Sequence, residues 1–448
     1  MGFFKAYDMR GTFGTDFDLD LVCRIGQVLP GVVGGTRWLI GRDGRETGGA
    51  VRDALVRGLA AAGADITDLG LCTTPMVYHF TDAGGFDGSV MITASHNPPS
   101  DNGLKVSRRG ALPVGYADGL DKVEAAVKDC PPAPSASAGA VTPLEGAREK
   151  YLAWQRAATD VSSYASLRLA VDCSNGVAAL LAKDLFPGAI LLNDTIDGRF
   201  PCHSPNPLLA EAREQIAEVV RSQGLDAGVI FDGDADRAMF VDERGDFVPP
   251  DMLIPVVARQ SARPGEKVLH DVRTSRGAIE TLREQGFEPV MVPVGHVFAK
   301  RALRETHAAC GGELAGHYYF REFHNCDSGV LAAMRVLAAL AQAKARGETF
   351  SQMMAPIRSR YANSGERNFR VEDKAAATAR VLNAAAKSLP DEISRATLDG
   401  LRVEYAQGWF NLRASNTEPY LRLVVEADTP ERLDAWLAVL TDAVKGTA

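Results

Sequence analysis

Residues 88–99 read GSVMITASHNPP, and this stretch decides the fold. Gly88-Ser89-Val90-Met91-Ile92 is a short apolar run of the kind that makes a buried strand. Pro98-Pro99 prevents a helix from running on, so Thr93, Ala94, Ser95, His96 and Asn97 fall on a loop at the strand's carboxyl end. Open α/β sheets place their chemistry at that end. A serine next to a histidine suits a nucleophile with help close by; alone, the stretch equally suits a turn whose Ser, His and Asn bond their own backbone.

Working outward, the residues before this strand alternate between helical and strand patterns: a helix over 19–29, a strand over 38–41, a helix carrying Val51, Leu55 and Leu59, a strand over 66–69 and a helix near 76–81. This βαβαβ order implies parallel pairing. Asn102-Gly103-Leu104-Lys105 then turns the chain back into the sheet. The order recurs twice. Strands over 167–171, 189–192 and 228–231 alternate with helices over 177–185 and 210–222, and strands over 267–270, 289–292 and up to Gly311 alternate with helices over 276–285 and 297–304. Each round ends in a loop dense in functional groups: 93–98, 232–237 and 311–317. The repeat is structural, with no convincing identity between the three rounds. Residues 130–143 (CPPAPSASAGAVTP) and 359–367 (SRYANSGER) read as linkers. The tail, with strands over 401–405, 409–413 and 420–427 and a helix over 431–444, reads as a smaller α+β domain. The expected architecture is α/β: three similar α/β domains with mixed, mainly parallel sheets plus a smaller C-terminal α+β domain. The domains are expected at 1–134, 144–246, 247–358 and 366–448.

Composition narrows the function. At 448 residues the chain is long enough for several cores, and 46% apolar with 24% charged is ordinary for a globular protein. The net charge of -8, without a run of Lys or Arg, argues against nucleic acid, whose phosphates demand a basic face. The seven cysteines, never in a C-x-x-C pair, fit neither a disulfide framework nor a zinc site and read as small buried hydrophobes. Residues 1–5 (MGFFK) are followed closely by Asp8 and Arg10 and lack the apolar core of a signal peptide, and the most apolar run, 330–340, is too short to span a membrane and contains Arg335. A cytoplasmic protein without a membrane partner is the expectation.

Three further motifs carry chemistry. Asp232-Gly233-Asp234-Ala235-Asp236-Arg237 puts three carboxylates at alternate positions of one tight loop, a demand for a hard divalent cation. Glu243 falls where an EF-hand has its twelfth ligand. Against that reading, Arg237 stands where an EF-hand needs Gly, and the flanks are strands. Gly311-Gly312-Glu313-Leu314-Ala315-Gly316-His317 offers a carboxylate for sugar hydroxyls and an imidazole for a phosphate or a proton, with a solvated turn as the alternative. Arg413-Ala414-Ser415-Asn416-Thr417-Glu418-Pro419 joins two strands with the groups that hold a phosphate, with a plain hairpin as the alternative.

Taken in order, residues 7–11 (YDMRG), 93–98, 232–237, 313–317 and 413–419 resemble the motif series of the α-D-phosphohexomutases along the whole chain. The resemblance implies four domains around a central cleft, a phosphoryl group carried by Ser95, and Mg²⁺ held by Asp232, Asp234, Asp236 and a phosphate oxygen on Ser95. A hexose phosphate would pass through a 1,6-bisphosphate that turns over in the cleft, with glucose 1,6-bisphosphate, or the matching hexose 1,6-bisphosphate, as activator. Arg10 and Arg237 would supply fixed positive charge, and Lys105 and His317 are the candidates for proton transfer. Tyr7, Arg273, His296 and Glu313 would contact the sugar, while Arg413, Ser415, Asn416 and Thr417 would grip the other phosphate. Ala315 stands where the mannose/glucose branch commonly shows Ser, and Arg273 where it often shows Lys, which leaves the preferred hexose open. Phosphoglucosamine mutase and a sugar phosphatase using Ser95 are the alternatives, and a monomer or homodimer is expected.

Overall fold

A computed structural model describes residues 2–131, 141–414 and 420–446. The three α/β units share one strand order. In the first, the strand Arg37–Arg42 lies between Asp65–Leu71 and Gly88–Ile92, parallel to both. In the second, Leu169–Asp172 lies between Ile190–Leu192 and Ala227–Phe231, and in the third Lys267–Asp271 lies between Glu288–Val292 and Cys310–Gly312, again all parallel. An antiparallel strand then extends each sheet: Asp101–Arg108, Ala238–Asp242 and Tyr318–Phe320. The functional loop of each unit is therefore the turn from the last parallel strand into the returning one, which aims its side chains off the carboxyl edge of the sheet.

The central strands are apolar on both faces, as Val-Ile-rich parallel strands with helices on either side must be. Gly88–Ile92 and Ala227–Phe231 are buried at every position. The helices begin where the sequence supplies caps: Thr73 accepts from the Met76 amide, Ser328 from Leu331, and Thr349 with Gln352 closes a capping box. The apolar run at 330–340 lies in the helix Gly329–Ala345, and Arg335 leaves the core by donating to the Gln260 carbonyl and to Glu322. No helix among the described residues is long and apolar enough to cross a membrane.

One hydrophobic cluster runs through all three units, from Leu39, Met76 and Met91 through Val171, Leu185 and Phe231 to Leu253, Phe320, Leu337 and Met354. The final domain has its own cluster around Val403, Phe410, Leu423 and Trp436, under an antiparallel sheet of the strands Ser394–Ala396, Leu401–Tyr405, Gly408–Ala414 and Tyr420–Ala427. Its joint with the third unit is polar. Arg276 donates to Glu404, to the carbonyls of Tyr405 and Gly408 and, through its amide, to Glu426; Arg402 reaches back to the carbonyls of Val272 and Thr274.

Several expectations are corrected. Of the segment read as the first linker, Val141–Pro143 is a strand that pairs parallel with Asp65–Leu71 on the first sheet, while 132–140 lie outside the described residues. The segment read as the second linker contains the strand Ala362–Asn363, already within the final sheet, followed by Arg367–Arg370 on the same partner. The final domain also holds the helix Lys374–Ser388, which its alanine-rich sequence hid among loop residues. Five cysteines are buried, but Cys202 is exposed and Cys130 half-buried.

Candidate active site

The serine loop and the aspartate loop meet. Ser95 donates its hydroxyl to Asp232 Oδ2 at 2.7 Å, and the His96 Nδ1 lies 3.3 Å from the same hydroxyl. Glycine at 233 is what allows this approach: a Cβ there would stand 2.7 Å from the Ser95 carbonyl oxygen. Ser95 itself has φ +50°, a left-handed conformation that non-glycine residues adopt only when their surroundings hold them. Its amide donates to Thr93 Oγ1 (2.8 Å), whose own hydroxyl donates to Asp43 (2.6 Å).

Asp232, Asp234 and Asp236 are all buried, and one oxygen from each comes within 4.8 Å of the others. Asp234 Oδ1 and Asp236 Oδ1 are buried without a hydrogen-bond partner among the described residues. Three hard oxygen donors with unspent lone pairs fit a divalent cation such as Mg²⁺. Burial, reinforced by Asp236 and Asp234, pushes the Asp232 carboxyl well above the ordinary carboxylate range. Burial acts the same way on Asp236, but the charges of Lys105 and Arg237 help outweigh it and hold Asp236 low.

Lys105 lies on the strand antiparallel to Gly88–Ile92, and its ammonium sits 2.7 Å from Asp234 and 2.6 Å from Asp236. Burial opposes its charge, yet the two aspartates outweigh that and raise its pKa. In this geometry Lys105 stays protonated, so it can donate a proton but cannot accept one. Thr74, at the start of the helix Thr74–Ala83, adds a hydroxyl to Asp234 at 2.6 Å.

Arg237 and His317 are joined by a backbone bridge between the second and third units. The Arg237 Nε–H donates to His317 Nε2 at 3.0 Å, and Nδ1 of the same ring donates to Asp327 at 2.8 Å. Because a guanidinium only donates, Nε2 is the acceptor nitrogen and Nδ1 carries the proton. Arg10 donates to Asn97 (2.9 Å), two residues beyond Ser95, and to Asp8 (2.5 Å). Tyr7 donates to the Val294 carbonyl and its ring covers Gly295, whose Cβ, were there one, would strike it; His296 follows, with both ring nitrogens buried and unpartnered among the described residues.

The third unit continues towards the final domain. Arg273 pairs with Asp271 (2.6 Å) and Glu366 (3.0 Å) and lies 3.8 Å from Glu313, which accepts from Tyr319. Burial raises the Glu313 carboxyl, an effect that Arg273 only partly offsets. Glu366 lies 3.7 Å from Arg413, whose Nε and Nη2 are buried without a hydrogen-bond partner among the described residues. Ser415, Asn416 and Thr417 lie outside the described residues. The structure thus gathers Ser95, Asp232, Asp234, Asp236, Arg10, Lys105, Arg237 and His317, with Tyr7 and His296 beside His317 and Glu313, Arg273, Glu366 and Arg413 following in a chain of contacts.

Sequence reasoning missed Asp43, Arg45, Thr74, Asp327 and Glu366. Asp43-Gly44-Arg45 stood at the carboxyl end of a strand, where the rule that found Ser95 applies equally. Asp327 and Glu366 carried no such signal.

Three sheets of one topology bring a buried serine, a carboxylate cluster and paired cations together, a setting suited to group transfer. The four domain descriptions of the phosphoglucomutase/phosphomannomutase family match in order: α/β/α domain I at residues 1–130, II at 149–245, III at 249–361 and the C-terminal domain at 366–443. The chain belongs to this family of α-D-phosphohexomutases. It is 37% identical over 432 residues to the phosphohexose mutases of Xanthomonas campestris pv. campestris (strain B100), covering 94% of each chain. It is 36% identical over 437 residues to a phosphomannomutase of Salmonella montevideo, covering 95% of this chain and 94% of that one. Among solved structures, a phosphoglucomutase/phosphomannomutase family protein from Burkholderia thailandensis superposes with a TM-score of 0.84 at 30% identity, over 99% of this chain and 97% of the other.

Proposed function

We propose that the protein interconverts hexose 6-phosphate and hexose 1-phosphate, with mannose and glucose as the sugars, through phospho-Ser95 and a hexose 1,6-bisphosphate. The observation that carries this reading is the Ser95 hydroxyl held 2.7 Å from Asp232 at the edge of three buried carboxylates paired with Lys105 and Arg237. Among the described residues no carboxylate orients His96 into a triad, and a serine hydroxyl held by Asp232 in such a field suits phosphoryl rather than acyl transfer, because phosphoryl transfer needs alignment and charge more than a strong base.

Asp232, Asp234, Asp236 and the Ser95 oxygen would hold Mg²⁺, which when bound withdraws charge from the phosphoryl oxygens. Arg10 and Arg237 stabilise the negative charge of the phosphoryl group as it leaves or arrives. His317 offers Nε2 as the acceptor; a sugar hydroxyl that donates there takes the place now held by the Arg237 Nε–H, and Asp327 keeps the ring in the required tautomer. Lys105 serves as a proton donor and as a counter-charge. Glu313 and Arg273 meet the sugar hydroxyls, His296 and Tyr7 line the same wall, and Arg413 with Ser415, Asn416 and Thr417 receives the phosphate that is not reacting. The sugar reverses end for end between two fixed phosphate sites.

The test is a coupled assay with mannose 1-phosphate, glucose 1-phosphate and glucosamine 1-phosphate side by side, with a trace of glucose 1,6-bisphosphate and Mg²⁺. Isomerisation of the first two, one phosphate on Ser95 by intact mass, and its loss together with activity in Ser95→Ala are expected. Inorganic phosphate released as fast as product forms would assign a phosphatase, and glucosamine 1-phosphate as the preferred substrate would overturn the sugar assignment.

A further inference from the structure

The loop that carries Ser95 is built on one side chain outside the cleft's own set. Arg45 is buried, and all five N–H groups of its guanidinium are spent. Nε donates to Asp43 Oδ2 (3.2 Å), Nη1 to the carbonyls of Pro98 (2.6 Å) and Asp101 (2.7 Å), and Nη2 to those of Ser95 (2.9 Å) and Asn97 (2.7 Å). Asp43 in turn accepts from Thr93 Oγ1, which takes the Ser95 amide. Both backbone polar groups of Ser95 are therefore tied, through two routes, to the pair Asp43–Arg45. That is what holds a serine at φ +50°.

The same device recurs in the other two units. At the end of each first parallel strand, or one residue past it in the first unit, stands an aspartate whose Oδ1 accepts the amide two residues on: Arg45 to Asp43 (3.0 Å), Ser174 to Asp172 (2.8 Å) and Arg273 to Asp271 (2.8 Å). Each turn then props the functional loop of its own unit. Ser174 donates to the Phe231 carbonyl just before the aspartate loop, and Asp271 accepts the Leu314 amide of the sugar loop. In the first unit the prop is the Arg45 fork. The second unit closes over it: Phe200 lies 5.1 Å beyond the guanidinium, and a Cβ on Gly198 would strike the backbone of Gly44 and Arg45.

We infer that Arg45 is a positioning residue for phosphoryl transfer, setting the angle at which Ser95 faces the aspartate loop and the incoming phosphate through its hold on four loop carbonyls. This rests on the reading of Ser95 as the phosphoryl carrier. An ammonium cannot replace the fork, because Lys has three donors on one atom and no plane to match the spread of the carbonyls. Arg45 touches no reacting atom, so its loss should leave substrate binding intact and misalign the transfer.

The experiment compares Arg45→Lys, Phe200→Leu and Ser95→Ala with wild type, all as full chains with Mg²⁺. Turnover is expressed per phosphorylated Ser95, counted by intact mass, alongside KM and the rate at which glucose 1,6-bisphosphate phosphorylates the serine. Arg45→Lys should lower kcat and that phosphorylation rate together, by about 100-fold, with KM within about threefold. A purely structural role would lower the melting temperature and the number of active sites but leave turnover per phosphorylated site unchanged, and that result overturns the inference. If Arg45→Lys fails to fold, Phe200→Leu decides, since it keeps every hydrogen bond of Arg45 and removes only the aromatic face: a fall in kcat of about fivefold or more at constant KM is expected, and wild-type turnover refutes. Activity surviving in Ser95→Ala would instead refute the role of Ser95 itself.

Discussion

Replacing Lys105 by Met tests how the aspartate loop tolerates its own charge. The Lys105 ammonium is 5% exposed and lies 2.7 and 2.6 Å from two carboxylates that are wholly buried. Removing one partner of such a pair leaves the other charges uncompensated, at a cost of about 3 to 5 kcal/mol. At about 2 °C per kcal/mol for a large cooperative unit, the variant should melt roughly 6 to 10 °C below wild type in a chelating buffer. Mg²⁺ competes with Lys105 for Asp234 and Asp236, so the variant should bind the metal more tightly, by about tenfold or more. Scanning fluorimetry over a Mg²⁺ series reads both effects: the gap in melting temperature should narrow as Mg²⁺ rises, and the half-saturating concentration should be lower in the variant. An equal gap at every Mg²⁺ concentration would refute the competition, and with it the placing of the metal among these three aspartates. Turnover should fall in either case, since the proton donor is gone.

Three more predictions rest on separate regions of the structure. Arg413→Ala should lower kcat/KM for hexose phosphates by about 2 to 4 kcal/mol while the phosphate content of Ser95 is unchanged, and wild-type kinetics would reduce the 413–419 segment to an ordinary hairpin. Gly233→Ala places a methyl group 2.7 Å from the Ser95 carbonyl, so the two loops must move apart; steady-state assays should show kcat down by about tenfold or more, and an active variant would show that the approach is not needed. His79, on the helix Thr74–Ala83, packs against the side chains of Trp154, Phe323 and His324 and has its imidazole pushed down to about 4, by burial first and His324 second. Its folded pKa lies below the unfolded 6.5, so its contribution is intact above pH 6.5 and is lost as pH falls from 6.5 to about 4, by about 2 to 3 kcal/mol; His79→Gln should flatten the urea midpoint across that window.

The order of elements in the three α/β units was legible because each parallel strand is a short apolar run bounded by Gly, Pro, Asp or Asn, as in 88–92 and 227–231, and because helices over 51–59 and 276–285 show their apolar face at helical spacing. The cleft was legible where its residues cluster in sequence, as at 93–98 and 232–237. What sequence hid was of two kinds. Short strands such as Ala362–Asn363 and Val141–Pro143 are strands only because a partner edge is there to pair with, and nothing local marks them. Single side chains that reach the site from elsewhere, such as Thr74, Asp327 and Glu366, are brought in by topology alone. The repeated aspartate turn at 43, 172 and 271 was readable, but only one residue in each copy is shared, and identity-based comparison passes over a repeat kept in geometry rather than in letters.

The separate core of the final domain and its polar joint give the molecule a defined weak seam. A load applied between the two ends of the chain meets one continuous apolar interior through three units, and then a contact made of arginines, carboxylates and carbonyls. Apolar interiors yield only when surface is torn open along their whole length, whereas hydrogen-bonded pairs can separate singly, with water replacing each. In an optical trap the last domain should therefore peel away first and at low force, and return on relaxation, long before the remaining units give way together in a single large extension.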